Sequence, residues 1–492
     1  MKKRLAALTL CAALTLSFAA GCGEDSSGSG SDSSAGAAQS ENPAAPESDS
    51  GANSSDKART VAQTDTQRGA VCSIDGKTFY NNGKCILDIT NPDAPVFSEI
   101  AREKSDKAFT ELSELRPDRS IVSGNKAVSC DEEDRGKIFE YDLSDLKNVR
   151  KKVLYDVNSW NSAVQAKADK TYSAELIGSI SDNIMYYCDN WVDGGDGYVY
   201  FKFVSPGELF NDHVPQNYLV GRFALDGKGM ELLSDDIRAS SVTFKDGYLY
   251  YADCGYTVKG LSADYSYDKS RIGIYKVRPD GSGKQKLVSI SSVDEKYSHT
   301  ENLAGRLEVV GDYLYYIARN DSSDRDNSYL YRLPLGGGEP QQLTKESVCD
   351  YYVDTRSGTL FYYTGELYGS SKDVNKFCSV KLDGGEKKIL FMSYENNYPP
   401  TLGVYGDYVY FMELSGYTGY QLVEKSEEYD DSAPSGMRYS LSAGKMEYLQ
   451  AYAIAEYEEN SSGYKTIKSY GSVSTKWIEK KSTSAKDGAA LY

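Results

Sequence analysis

The chain has 492 residues, a formal net charge of −17, 42 tyrosines and two histidines. A surface this acidic argues against nucleic acid, anionic lipid or teichoic-type polymers as main partners. The two histidines, His213 and His299, supply no H-E-x-x-H or His-triad spacing, and no G-x-S-x-G elbow is present.

At the N-terminus, Lys2, Lys3 and Arg4 precede an apolar stretch from Leu5 to Phe18. That stretch is too short to span a bilayer comfortably and suits a secretory leader. It ends in Ala19-Ala20-Gly21-Cys22, which resembles the lipobox of bacterial lipoproteins, with Ala19 where the family usually has Leu. The resemblance implies a signal peptide over 1–21 and diacylation of Cys22 as the new N-terminus. Residues 22–60 are rich in Ser, Gly, Ala and Asp. Gly23 to Lys57 hold no aromatic residue and cannot bury enough apolar surface to offset their ordering entropy, so a flexible tether is expected. Lipid and tether together predict an extracytoplasmic protein attached to the bacterial cell membrane.

From about residue 61 to 450 the chain repeats. The phrase D-G-Y-V-Y-F at Asp196–Phe201 returns as D-G-Y-L-Y-Y at Asp246–Tyr251, G-D-Y-L-Y-Y at Gly311–Tyr316 and G-D-Y-V-Y-F at Gly406–Phe411. A second phrase, strand then Asp-Gly or Gly-Gly turn, follows each, as at Val277–Gly281 and Val380–Gly384. First-phrase anchors at Phe79, Val128, Tyr200, Tyr250, Tyr315, Tyr362 and Tyr410 alternate with second-phrase positions at Ile89, Leu143, Leu225, Pro279, Leu335, Leu382 and Leu441. Each unit has room for about four short strands and shows no amphipathic helix. Four-stranded sheets repeated radially make an all-β fold, the β-propeller, here with seven blades. Six and eight stay open, because Tyr186-Tyr187-Cys188-Asp189 also matches the first phrase within the longest gap. Tyr248 and Tyr250 should share one face of a strand and Leu249 and Tyr251 the other, so both faces should be covered. Residues 451–492 form an extension that could close the ring with a strand or pack on its outside.

Tyr250-Tyr251-Ala252-Asp253 resembles the Y-W-T-D signature of propellers in low-density-lipoprotein-receptor-related proteins, and Arg278–Gly281 with Leu287-Val288 resembles that family's continuation. The chain is also similar to a bacterial group of Tyr-rich lipoprotein propellers, mostly of unknown function. Tyr or Phe replaces Trp and Thr is seldom kept, so the resemblance implies a fold and carries no receptor-style ligand binding.

Chemistry-bearing patterns are sparse. Besides Cys11 and Cys22, seven cysteines (Cys72, Cys85, Cys130, Cys188, Cys254, Cys349 and Cys378) form no C-x-x-C pattern, and an odd number cannot all pair within the monomer. The turn spacing sets Cys72 opposite Phe79 and Cys85 opposite Tyr80, on opposite faces, so the set reads as small buried hydrophobes. Asp321–Asp326 and Asp193–Asp196 lack the full calcium-loop spacing. No catalytic, cofactor or metal residue is assigned. The candidate ligand contacts are Tyr256, Tyr265 and Tyr267 in the insertion Gly255–Ser270, which also carries Lys259 and Lys269, and Trp160 and Trp191 in the other long insertion. The expected function is non-catalytic recognition of a protein, peptide or glycan, or scaffolding, through propeller loops. The alternative is an extracytoplasmic glycan hydrolase or lyase using carboxylates near the channel.

Overall fold

The computed structural model describes residues 71–74, 76–81, 86–97, 120–130, 137–145, 149–156, 188–203, 218–234, 236–258, 265–289, 305–318, 328–364, 375–393, 401–412, 421–424, 436–459, 465–484 and 490–491. Among them, seven larger sheets follow one another along the chain, each built on four antiparallel strands. They fall at residues 71–97, 120–156, 188–239, 241–288, 305–342, 348–393 and 401–459, here sheets 1 to 7. Their first strands are Val71–Ile74, Ser120–Ser123, Cys188–Asp193, Ser241–Lys245, Gly305–Val310, Val348–Asp354 and Thr401–Tyr405. First strands of neighbouring sheets touch, those of sheets 5 and 6 through Arg306 with Asp350 and Tyr351, and that of sheet 7 touches that of sheet 1, so these strands surround a common axis. The chain is a β-propeller.

Packing explains the arrangement. Each of seven apolar clusters is shared by two consecutive sheets, the last by sheets 7 and 1. Within the strand Tyr248–Asp253, Leu249 and Tyr251 pack toward sheet 3, whereas Tyr250 packs toward sheet 5. Both faces of the sheet are therefore dry, as the residue pattern predicts. The anchors Tyr200, Tyr315, Tyr362 and Tyr410 are buried. Burying each ring removes apolar area worth roughly 1.5–3 kcal/mol, so the tyrosines of the repeat fill the space between sheets.

A second repeating feature lies across the strands. Opposite the second Tyr of the phrase stands a cation on the third strand: Arg222 faces Tyr200, Lys276 faces Tyr250, Arg332 faces Tyr315 and Arg438 faces Tyr410. Each lies over the ring of the first Tyr, at 4.3 Å from Tyr198, 4.3 Å from Tyr248, 4.6 Å from Tyr313 and 3.6 Å from Tyr408. Nine residues later the fourth strand supplies an acceptor to the arginines: Glu231, Gln341 and Glu447. Sheets 1 and 2 reverse the charges. Lys77 and Lys126 take the first Tyr's place, and Asp88 and Glu140 stand on the third strand, 3.4 and 3.3 Å away.

Among the described residues the ring closes without strand exchange, because sheet 1 draws all four strands from one stretch of chain and sheet 7 from another. Side chains span the seam instead. Arg438, sandwiched between the rings of Tyr408 and Trp477, donates to the Pro92 carbonyl at 2.6 Å. Trp477 Nε1 donates to the same oxygen at 3.0 Å, and Thr475 Oγ1 to that of Pro95 at 2.6 Å. Trp477 and Thr475 lie on Ser474–Glu479, which pairs along the strand Lys445–Glu459. Ala490–Leu491 pairs in parallel with Lys388–Ser393 of sheet 6. The described part of the C-terminal extension thus lines the outer edges of sheets 6 and 7 and reaches across to the turn of sheet 1.

Candidate functional site

Antiparallel order gives the propeller two unlike ends. The connections from first to second strand and from third to fourth all emerge at one end. There the sequence puts tight turns such as Asp246-Gly247 (φ 51 and 78), Gly311-Asp312 and Asp280-Gly281. Aspartates shape these turns: Asp142, Asp193, Asp226, Asp280 and Asp383 each accept the backbone N–H two residues on. Part of the chain's acidity is therefore turn chemistry. Connections from second to third strand, and from one sheet to the next, leave from the opposite end. They include residues 157–187, 204–217 and 413–436, most of which lie outside the described ones.

Sheet 4 carries a described projection at this second end. Tyr256–Val258 and Tyr265–Tyr267 pair as a separate two-stranded hairpin, with Tyr256 opposite Tyr267 and Val258 opposite Tyr265. The structure thus brings the three candidate tyrosines onto one hairpin. Its base is held rigidly. Asp253, 2% exposed, accepts from Gly255 N at 2.8 Å through one oxygen and from Arg271 Nε and Nη2 at 3.1 and 2.9 Å through the other. Gly255 has φ +80, and a β-carbon there would sit 2.7 Å from the Asp268 carbonyl, while the Asp268 N–H donates to the Gly255 carbonyl at 2.9 Å. Asp268 then caps the short 3-10 turn Lys269–Arg271 through Ser270 N at 2.9 Å. The Tyr275 hydroxyl donates to Arg271 O at 2.6 Å and Lys286 Nζ to Ser270 O at 2.8 Å. Burial opposes the charge of Arg271, but Asp253 outweighs it and raises the guanidinium's affinity for its proton. The stalk is an ion pair between a buried carboxylate and a half-buried guanidinium, with both carboxylate oxygens engaged, a geometry that resists bending.

Trp191 corrects the sequence reading. It lies on the first strand of sheet 3, is 2% exposed, and packs edge-on to Phe223 at 5.0 Å in the cluster between sheets 2 and 3. An indole surrounded by core rings contacts no ligand, and the boundary between insertion and strand lies before Cys188. Trp160, Cys22, His213 and His299 lie outside the described residues, as do the tip residues 259–264 of the hairpin.

The described residues hold little reactive chemistry. No group of three His, Cys, Asp or Glu among them could hold a metal ion. Cys72, Cys254 and Cys378 are in no disulfide. Burial pushes the Cys72 thiol up to about 12 and that of Cys378 to about 11, so both stay protonated and poorly nucleophilic at neutral pH. Cys72 faces Phe79 as the turn spacing predicts. No helix among the described residues is long and apolar enough to cross a membrane. The Asp253–Arg271 bolt escaped sequence reasoning, although Asp253 is the last residue of the signature and Arg271 directly follows the insertion.

No protein-family model matches the chain, and no curated protein matches it. Solved structures do. A chain of the nidogen–laminin complex is 14% identical, covering 64% of this chain and 89% of that one, with a TM-score of 0.31. Oligogalacturonate lyase from Vibrio parahaemolyticus is 9% identical over 79% of this chain and 87% of its own, with a TM-score of 0.38. Puromycin hydrolase is 12% identical over 84% and 60%, with a TM-score of 0.41. These likenesses concern the fold alone and bring no activity to this chain.

Proposed function

We propose that this chain is a seven-bladed, lipid-anchored extracytoplasmic recognition protein of the Tyr-rich propeller lipoprotein type, binding a protein, peptide or glycan at the end that carries the long connections. The observation that carries this reading is the hairpin Tyr256–Tyr267, a projection whose base is locked by Asp253, Arg271 and Gly255. A pre-set projection loses little entropy on binding, and tyrosine offers large rigid contact area with a polar tip. The sequence of the N-terminal segment supports the address through Cys22 and the tether. Arrays of cell-wall glycans, peptides and secreted proteins probed with the mature chain, and with a variant in which 257–266 is replaced by Gly-Gly, test the reading. Binding that the replacement weakens about tenfold or more supports it. Binding indifferent to the replacement removes the hairpin from the site.

A second reading is a glycan-active hydrolase or lyase. It is favoured by one observation, a channel cavity that Asp193, Asp246 and Glu308 line together with Arg306. Turnover of uronic-acid or neutral glycans that is abolished by Glu308→Gln would establish it.

A further inference from the structure

A cavity of about 750 Å³ runs along the first strand of sheet 5, from Arg306 to Gly311, between the first strands of sheets 3, 4 and 6. Two of these strands depart from regular pairing at neighbouring points. The register shifts between Gly305 and Glu308 in sheet 5, and between Val348 and Asp350 in sheet 6. Bulges re-aim side chains, and here they aim Arg306 and Asp350 at each other as an ion pair. Arg306 also has φ 47, a left-handed backbone that a residue with a β-carbon keeps only when its surroundings fix it. The surroundings are present: the Tyr351 hydroxyl donates to Arg306 O at 2.6 Å, and the guanidinium lies 5.2 Å from the centre of the Tyr351 ring.

This support leaves one side of the guanidinium unpaired. Asp350 takes Nη1, whereas Nε is buried and has no hydrogen-bond partner among the described residues. A buried N–H without an acceptor is costly and calls for an explanation. Nε–H and Nη2–H together form the side-on fork that matches a planar carboxylate. The side chain is only 17% exposed, so an anion reaching it would be largely removed from water, where such a pair is strong.

We propose that Arg306 anchors a second binding site, in the channel and separate from the hairpin, for a small molecule bearing one carboxylate and several hydrogen-bond donors. The donors follow from the rest of the lining. Glu308, Asp193, Asp196 and Asp246 line the same cavity and outnumber its second cation, Lys245, whose ammonium donates to the Gly311 carbonyl at 2.6 Å; together they disfavour a second negative charge and offer acceptors to hydroxyl or ammonium groups. An acidic sugar and an amino-acid or peptide terminus share this chemistry.

Ligand-observed NMR on the mature chain with D-glucuronate, glycylglycine and the uncharged glucuronamide tests the site. At least one of the two carboxylates should bind and glucuronamide should not. Glucuronate alone assigns an acidic sugar, and glycylglycine alone a peptide-like terminus. Arg306→Lys, which keeps the charge and loses the fork, should weaken binding about tenfold. Asp350→Asn should tighten it by removing the competing carboxylate. Replacement of 257–266 should leave it unchanged, so this site can fail or stand independently of the proposed recognition surface. The proposal is overturned if neither carboxylate binds, if glucuronamide binds equally, or if Arg306→Lys melts like the parent and binds with equal affinity. Should Arg306→Lys not fold, unaltered affinity in Asp350→Asn overturns it.

Discussion

Sheets 2 and 7 solve the same problem with opposite chemistry. Both must hold three adjacent strands together at the register of the first phrase, near the tight-turn end. In sheet 7, Arg438 is 3% exposed, lies between two aromatic rings, and bonds both Glu447 and a carbonyl of sheet 1. In sheet 2, Glu140 sits between Lys126 and Lys152 at 3.3 and 2.9 Å, and both lysines are well exposed. The pattern of one cross-strand charge is common to both. What differs is desolvation: the arginine is sealed by rings and joins two sheets, whereas the carboxylate is tied to solvated partners within one sheet. The further water is excluded, the more it costs to remove one partner of such a pair, because the other is left desolvated and unpaired.

That comparison ranks four substitutions. Arg438→Ala should be the most damaging, because it leaves Glu447 without its donor, takes one of two donors from the Pro92 carbonyl and opens the seam; a loss of about 3–5 kcal/mol is expected in urea unfolding. Arg332→Ala should cost about 1–3 kcal/mol, since Arg332 also reaches the Leu382 carbonyl of the next sheet, at 3.0 Å. If its cost matched that of Arg438→Ala, the seam would have no special status. Arg222→Ala, whose contacts stay inside sheet 3, should cost about 1 kcal/mol. Glu140→Gln should cost under about 1 kcal/mol and become silent in high salt.

The same glutamate sharpens the comparison by pH. Burial works to raise the Glu140 carboxyl, but Lys152 and Lys126 outweigh it and hold it below the ordinary carboxylate range. A depressed folded value means that its contribution is fully present above the unfolded pKa and is lost as pH falls through the folded one. Between pH 7 and 3 the stability difference between parent and Glu140→Gln should therefore shrink toward zero. A constant difference would show that the carboxylate acts by shape and not by charge.

Most of the scaffold could be read from residue order. The Gly-Tyr-x-Tyr phrase reports a tight turn followed by a strand dry on both faces, and the Asp-Gly phrase reports the outer hairpin. Both are local, so a single chain displays them. The cation on the third strand was also written in the sequence, nine residues before Glu231, Gln341 or Glu447, but its meaning depends on a register that only pairing reveals. Arg306 was illegible for a different reason. Nothing near Gly305-Arg306-Leu307 announces a bulge, and its partner Asp350 comes from another sheet. Trp191 misled because its neighbours in the chain look like an insertion while its neighbours in space are Phe223 and sheet 2. The hairpin tyrosines could be singled out because the insertion interrupts the repeat. Their stalk was not, because an ion pair across eighteen residues leaves no periodic trace.

The seam has a consequence for how such a molecule can vary. Propellers that exchange a strand between first and last sheets tie their two termini into one pairing register. Here the four core strands of each sheet are written as one uninterrupted stretch among the described residues, C-terminal strands adding only to the outer edges of sheets 6 and 7, and the seam is sewn by side chains from Arg438, Thr475 and Trp477 to the carbonyls of Pro92 and Pro95. Duplicating or excising a whole stretch, say 241–304, would break no hydrogen-bonded strand pair in the remaining sheets. The number of blades becomes a modular quantity, adjustable by recombination at the connections, while the latch at the two ends of the series stays the same.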